Sequence, residues 1–596
     1  MMRLILAFLL PATLMSSFVS AQTIQEGKEH VFAMRTASAI AHFEKMVKTN
    51  PADAEAVYWL GQSYLESDES SAQRLEQARS VYASGLPATG NAALVKVGMG
   101  HVELLSGQVE TARQYFDACL VATKDKKGNN NPAIAYAVGR AIHDAEKADF
   151  VMGVTLLEAA TKFMEEAKPR IPQSPEMWVL LGNLYRKAYP GESGNQAFTC
   201  YSKALEIDST FGAAYLRRSR MAEKAQDYEL QKALLDRAVA KNPTFSAAYY
   251  DLYYYYLYRL KLTEAEEQLN KYINSKPVKE LQDEFLYAQL CWKKTDYDCA
   301  ISKTEKLTEQ QGVKTKPKAF RLLADAYYQR GLLMLKRGDN GAAAGDFSQA
   351  KRNSDEFMSR KTTDDYIPFD HKLRADILSK TGGNKQEILD NYLTGASLDT
   401  VVSGKLEFLK QGQAYFKENK IRDMEAAIIE QILLIKPKPT INDYFDLTLA
   451  YYFSNGYDRS RGTAKKMIEK FPEQIYGYEW SFNSAIAVDT VRKDSIAVPD
   501  ALQLNEFSAG DTVKFRKQYV SSTRYLAAYY INDAKDKEKA LVYFRKWLAV
   551  DPANAATIQG YIDQIERMAP TPKSGGGTTP TRTGSGTFPR PEARKP

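Results

Sequence analysis

Ser209-Thr210-Phe211-Gly212-Ala213-Ala214-Tyr215 returns 34 residues later as Pro243-Thr244-Phe245-Ser246-Ala247-Ala248-Tyr249, and Pro243 is echoed at the same step by Pro277. A fixed period of this size means stacked copies of one supersecondary unit, and it decides the architecture before any local element is assigned. Just upstream, Trp178, Leu181, Gly182 and Tyr185 are spaced by three, one and three residues, which places them on one face of a helix. Ala197, Tyr201 and Ala204 mark a second helix. Gly182 and Ala197 are small enough for the two antiparallel helices to approach, and Trp178, Tyr185 and Tyr201 fill the space beside the crossing. A proline closes such a unit, because it lacks the donor that another helical turn needs. No run of alternating β-branched residues bounded by turn dipeptides competes with this reading.

The pattern resembles the tetratricopeptide repeat, W-x2-L-G-x2-Y followed by A-x3-F and a proline. The same marks recur as Leu60, Gly61 and Tyr64; Val97, Gly98 and His101; Val138, Gly139 and Ile142; and Leu323, Ala324 and Tyr327. Later copies read Gln411, Gly412 and Tyr415, then Leu447, Thr448 and Tyr451, and Ala540, Phe544 and Trp547 precede Pro552. The resemblance covers roughly residues 22 to 568. It implies an all-α solenoid, a right-handed superhelix of stacked helix pairs, since no single pair can bury its apolar side alone. Two blocks are expected, 22–355 and 356–568, joined at the polar stretch Lys351–Ile367, with an irregular insertion near 488–512 where the register fails.

Met1–Ala21 reads as a secretory signal peptide: Arg3 at the start, an apolar core from Leu4 to Leu10, and Val19-Ser20-Ala21 as the cleavage site before Gln22. Its apolar run is short for a spanning helix, and no other run approaches that length, so the mature chain is expected to be periplasmic or extracellular without a transmembrane segment. Residues 569–596 are rich in Pro, Gly, Thr and Ser, with Phe588 the one large apolar residue, and are expected to be disordered. The formal charge of the chain is +7, but Lys573, Arg582, Arg590, Arg594 and Lys595 concentrate the excess in that tail. The remainder is close to neutral, which argues against a nucleic-acid-binding surface. Of four cysteines, Cys119 and Cys200 read as core, while Cys291 and Cys299 flank the turn of one repeat and are a candidate disulfide that export would permit.

In the family resembled, the inner groove is lined by first-helix positions that alternate with the core positions. Carried onto this chain, they give Asn183, Arg186 and Lys187, then Arg220 and Lys224, then Tyr250, Tyr254 and Tyr258, then Phe285, Gln289, Trp292 and Lys293. A basic stretch thus runs into an aromatic one. Tyr and Trp give large contact area at low entropic cost, and Arg or Lys beside them favours a carboxylate. The alternative is that these tyrosines pack repeat against repeat.

Asp-Ser/Thr sites at Ser209, Thr400, Thr490, Ser495 and Thr512 look like those at which Bacteroidota glycosylate exported proteins, and the signal sequence has the same style; ordinary Asx-turn chemistry is the other reading. Five scattered histidines, no G-x-S-x-G, no H-E-x-x-H, no phosphate loop and no metal-ligand spacing point to no enzyme, no cofactor and no metal. The function expected is a non-enzymatic scaffold or adaptor that binds protein segments through its groove, in envelope assembly or secretion. A glycan or cell-wall binder using the Tyr/Trp row is one alternative, and an enzyme with an unrecognised site is another.

Overall fold

The computed structural model describes residues 23–167, 170–312, 315–361, 366–489, 495–568 and 588. The expected signal peptide lies outside them, as does all of the 569–596 tail except Phe588. Among the described residues the chain forms 29 α-helices, α1 (Ile24–Phe32) through α29 (Ala555–Arg567), and no strand. Most are antiparallel pairs, each stacked on the next, so the architecture is an all-α solenoid. Two compact units divide at Lys336 and Arg337.

The turns inside the pairs share one local solution. The first helix ends, one residue takes a left-handed conformation, the next is the N-cap, and the second helix begins after it. Gln226, Leu260, Thr295, Lys420 and Asn455 fill the left-handed position with φ between 57° and 64°, and Gly107 fills it where glycine is present. An aspartate often follows and caps the second helix: Asp227 accepts from the Leu230 N–H at 3.0 Å and Asp296 from the Cys299 N–H at 3.0 Å. Such caps bond amides that the first turn of the helix leaves unpaired.

At Gly61, Gly98 and Gly182 in unit 1 the small residue at the crossing makes room for a ring rather than for a bare backbone. A Cβ on Gly182 would stand 2.6 Å from Tyr201 Cε1, and Tyr82 lies against both Gly61 and Gly98. Tyr82 and Tyr201 are fully buried. The first pair also reaches back across the unit. Lys28 of α1 pairs with Glu176 at 2.5 Å, the Phe32 and Phe211 rings meet edge to face at 5.4 Å, and Ser246 Oγ donates to the Ala33 carbonyl. Two further bonds join α2 (Thr36–Thr49) to the segment before α15 (Asp283–Lys293): Ala37 N–H to Glu280 and Val278 N–H to Ser38 Oγ.

One expected boundary falls elsewhere, and the expected insertion is partly helical. The stretch from Lys351 does not divide the units: as far as Arg360 it continues α18 (Asn340–Arg360), a helix of unit 2. Its polar residues are compatible with burial, because Asn353 returns its amide to the Gln349 carbonyl at 2.9 Å while Phe357 supplies the apolar contact. The insertion near 488–512 contains α26 (Val498–Ala509), with Pro499 in its first turn, where a missing N–H costs nothing. There Asp500 is buried and takes hydrogen bonds from Arg461 and Ser481.

Candidate functional site

The first helices of unit 1 include α3 (Ala54–Leu65), α7 (Pro132–Asp144), α9 (Pro175–Ala188), α11 (Gly212–Lys224), α13 (Ser246–Tyr258) and α15. At the early end of this row Arg140 lies over the Trp59 ring at 5.0 Å and bonds Glu66. Beside it His101, buried at the Tyr position of its repeat, receives a hydrogen bond on Nδ1 from Gln62 at 3.1 Å. Its proton therefore sits on Nε2, which faces Asp144 at 3.6 Å. Burial pushes the His101 pKa down to about 4.

Further along, Arg220 makes a two-pronged bond to Asp251, Nε to Oδ2 at 3.0 Å and Nη2 to Oδ1 at 3.1 Å. Arg186 and Arg217 are half-buried nearby and have no ion-pair partner among the described residues. Burial, then the neighbouring Arg220, lowers the Arg217 pKa from its ordinary value. Stepping 34 residues from Asn183 gives Arg217 and Asp251, and the same step from Arg186 gives Arg220 and Tyr254. Strict periodicity was thus the signal that would have found Arg217 and Asp251.

The tyrosine run of α13 splits between core and surface. Tyr253 is fully buried and donates to the Leu286 carbonyl at 2.9 Å. Tyr250, Tyr254 and Tyr258 form one row: the first two rings meet edge to face at 5.0 Å, and the last two stack at 5.7 Å. Tyr254 Oη donates to Gln289 at 3.0 Å, while Tyr258 is 70% exposed. Burial and then Tyr250 hold the Tyr254 phenol well above its ordinary pKa, so it remains a neutral donor. Arg220, Asp251, Arg259 and this row surround a cleft of about 310 Å³. A larger recess, about 580 Å³ near Trp178 and Cys200, includes none of the expected groove residues.

The other expected groove residues are dispersed. Asn183 accepts from Tyr201 Oη at 2.9 Å within its own repeat. Lys187 turns to the preceding repeat, where it bonds the Ala145 carbonyl at 3.2 Å and covers Phe150. Lys224 is exposed at the end of α11. Lys293 lies 5.2 Å from the Trp292 ring centre, and Trp292 Nε1 is buried without a hydrogen-bond partner among the described residues. Phe285 is not a groove residue: it is 4% exposed and packs with Leu307 and Ala319. The reason is a shortened repeat. The buried set Leu252, Tyr253, Tyr255 and Leu257 recurs after 33 residues as Phe285, Leu286, Ala288 and Leu290, so Phe285 inherits a core position.

Cys291 and Cys299 are joined by a disulfide with a Cα separation of 5.8 Å, and Cys119 and Cys200 are free and buried. Ser209 and Thr400 are exposed in turns, Ser495 and Thr512 are half-buried, and Thr490 lies outside the described residues. Asp208 and Asp399 both accept backbone N–H bonds two residues on, the Asx-turn arrangement. Among the described residues no cluster of three or more His, Cys, Asp or Glu could hold a metal, and no helix is long and apolar enough to cross a membrane.

No protein-family model matches the sequence, and no curated protein does. Among solved structures, the C-terminal part of a TPR repeat-containing protein from Cytophaga hutchinsonii is 22% identical, with a TM-score of 0.25 over 46% of this chain and 98% of that one. A tetratricopeptide repeat protein from Parabacteroides merdae is 17% identical, with a TM-score of 0.34 over 44% and 91%. The human IFIT1 dimer with m7Gppp-AAAA is 12% identical, with a TM-score of 0.39 over 70% and 90%. These scores are too low to carry a ligand or a role from any of them to this chain.

Proposed function

For a chain that is a tetratricopeptide-repeat solenoid, we propose a non-enzymatic scaffold, exported from the cytoplasm, that holds an extended acidic segment of a partner protein along the first-helix face of unit 1. The observation that carries the reading is the pairing of two kinds of group in one place. Arg186 and Arg217 make no ion pair among the described residues, and they lie beside Arg220, which lines a cleft with Glu223, Tyr250, Tyr254 and the exposed Tyr258. Arginines outside any ion pair favour a carboxylate, and stacked tyrosines favour the flat or apolar side chains beside it. Export supports the same picture through the disulfide, since such bonds persist in oxidising compartments. Envelope assembly or secretion is the process that suits an exported scaffold of this kind.

The test is an in-cell crosslinking pull-down from the envelope fraction. Wild type is compared with an Arg220/Tyr254/Trp292 triple alanine variant shown by circular dichroism to fold, and with the milder Tyr258→Ala. One or a few proteins recovered with wild type and lost from both variants support the groove. Recovery of the same proteins from all three chains refutes it. The exposed Tyr258 ring also suits a sugar face, so retention on peptidoglycan that is lost in Tyr258→Ala would favour the glycan reading instead.

A further inference from the structure

The last helices of unit 2 carry a second, separate recognition feature. Phe588 lies 56 residues beyond Asn532, yet the two are held together twice. The Phe588 N–H donates to Asn532 Oδ1 at 3.4 Å, and Asn532 Nδ2 donates to the Phe588 carbonyl at 3.2 Å. Asn532 ends α27 (Arg516–Asn532), and the Phe588 ring enters between the aromatic residues of α28 (Lys537–Val550) and α29. It stands 5.7 Å from the Phe544 ring and edge to face with Tyr561 at 5.4 Å, leaving only 6% of Phe588 exposed. Phe588 is thus a seated residue within a tail expected to be disordered.

One carboxamide can bond the N–H and the C=O of the same residue only where both point to one side, as they do in an extended strand residue. The sequence prepares that shape, because Pro589 follows and biases the preceding residue towards extended conformations. Elsewhere in the stack the next pair covers the apolar side of the pair before it, and solenoid ends need some cover of their own. Here Phe588 adds to the cluster of Phe544, Trp547, Ile558, Ile562 and Ile565.

We propose that Asn532, Phe544 and Tyr561 form a peptide socket that selects an extended phenylalanine, and that its resident occupant is the chain's own Phe588 segment. The seat is reversible: among the described residues one ring and two main-chain bonds hold it, and the tether keeps the segment at high local concentration. A partner segment with an extended phenylalanine could then displace it.

The experiment uses a fluorescein-labelled peptide of residues 583–596 and the full chain. Anisotropy should show saturable binding to the Phe588→Ala chain, at least about tenfold weaker binding to wild type, whose socket is filled, and none for the same peptide carrying Phe588→Ala. Adding Asn532→Ala to the Phe588→Ala chain should also abolish binding. No saturable binding to the Phe588→Ala chain, equal binding to wild type, or indifference to the phenylalanine would each overturn the proposal. If the Asn532 variant does not fold, hydrogen exchange decides. Amides of α29 should exchange faster in Phe588→Ala than in wild type, and equal rates would refute the seat. A wild-type dimer by light scattering that Phe588→Ala converts to monomer would place the occupant on a second copy and overturn the single-chain form.

Discussion

Arg220 and Asp251, one on each of two successive first helices, are held by a pair of nearly parallel hydrogen bonds of 3.0 and 3.1 Å. The bond ties α11 to α13, and it also neutralises one of the two arginines, Arg220 and Arg259, that line the tyrosine cleft. Asp251→Ala should therefore act in two directions. It removes a bidentate, partly buried partner, which should lower stability by about 1–3 kcal/mol in urea unfolding. It also releases Arg220, so an acidic peptide that binds the cleft should bind more tightly, and the gain should shrink as salt is added.

His101 gives a pH dependence with a definite sign. Its side chain is 1% exposed, and burial holds its pKa at about 4, well below the usual histidine value of 6.5. A histidine with a depressed folded pKa takes up its proton more readily when unfolded. Its contribution to stability is therefore complete above pH 6.5 and is lost as pH falls towards 4. The full loss is about 3 kcal/mol for a shift of this size. Thermal melts of wild type from pH 7 to pH 4 should show the decline, and His101→Gln should flatten it across that window.

Tyr82 is pressed between two glycines. A Cβ on Gly61 would come within 2.2 Å of its ring and one on Gly98 within 2.5 Å, both against a side chain that is fully buried. Tyr82 Oη also accepts from Gln62 at 2.8 Å and donates to the Tyr58 carbonyl at 3.1 Å, so the ring has nowhere to retreat. Gly98→Ala should cost about 1–3 kcal/mol through overpacking. The cost should be smaller in a Tyr82→Leu background, and a double-mutant cycle by chemical denaturation measures the difference.

These residues also show what the sequence made legible. The helix pairs follow from the 34-residue step and the helical spacing of the small and large marks, both of which are local and repeated. Gly182 was identifiable as the crossing position, but that it accommodates the Tyr201 ring depends on where a second helix sends its side chain. The groove was partly legible. Arg220, Tyr250, Tyr254 and Tyr258 meet at one cleft, whereas Phe285 went astray because a single repeat is one residue short. A one-residue slip rotates a helical position by about 100°, enough to carry a groove residue into the core. Neither the boundary at Lys336 nor the seat of Phe588 has a periodic signature, because each depends on contacts between distant segments.

The disulfide offers a compartment-sensitive prediction. Cys291 lies in the last turn of α15 beside Trp292, and Cys299 lies in the first turn of the next helix, α16 (Tyr297–Gln311). Closing so short a loop should contribute about 2–3 kcal/mol by restricting the unfolded chain. Cys291→Ser, or reduction of wild type, should lower the unfolding midpoint accordingly, and thiol labelling of the native oxidised protein should leave both sulfurs unmodified.

The central claim is that the tyrosine cleft of unit 1 is where an extended acidic segment binds. The most direct measurement selects peptides from a display library on the full chain, then determines their Kd on wild type and on Tyr258→Ala. Tyr258 is 70% exposed, so its truncation should leave the fold intact. Acidic, aromatic-containing peptides that lose about tenfold or more in affinity on Tyr258→Ala, a change of about 1.4 kcal/mol, are the predicted result. Selected peptides without acidic residues, or equal affinities for the two proteins, would contradict the account.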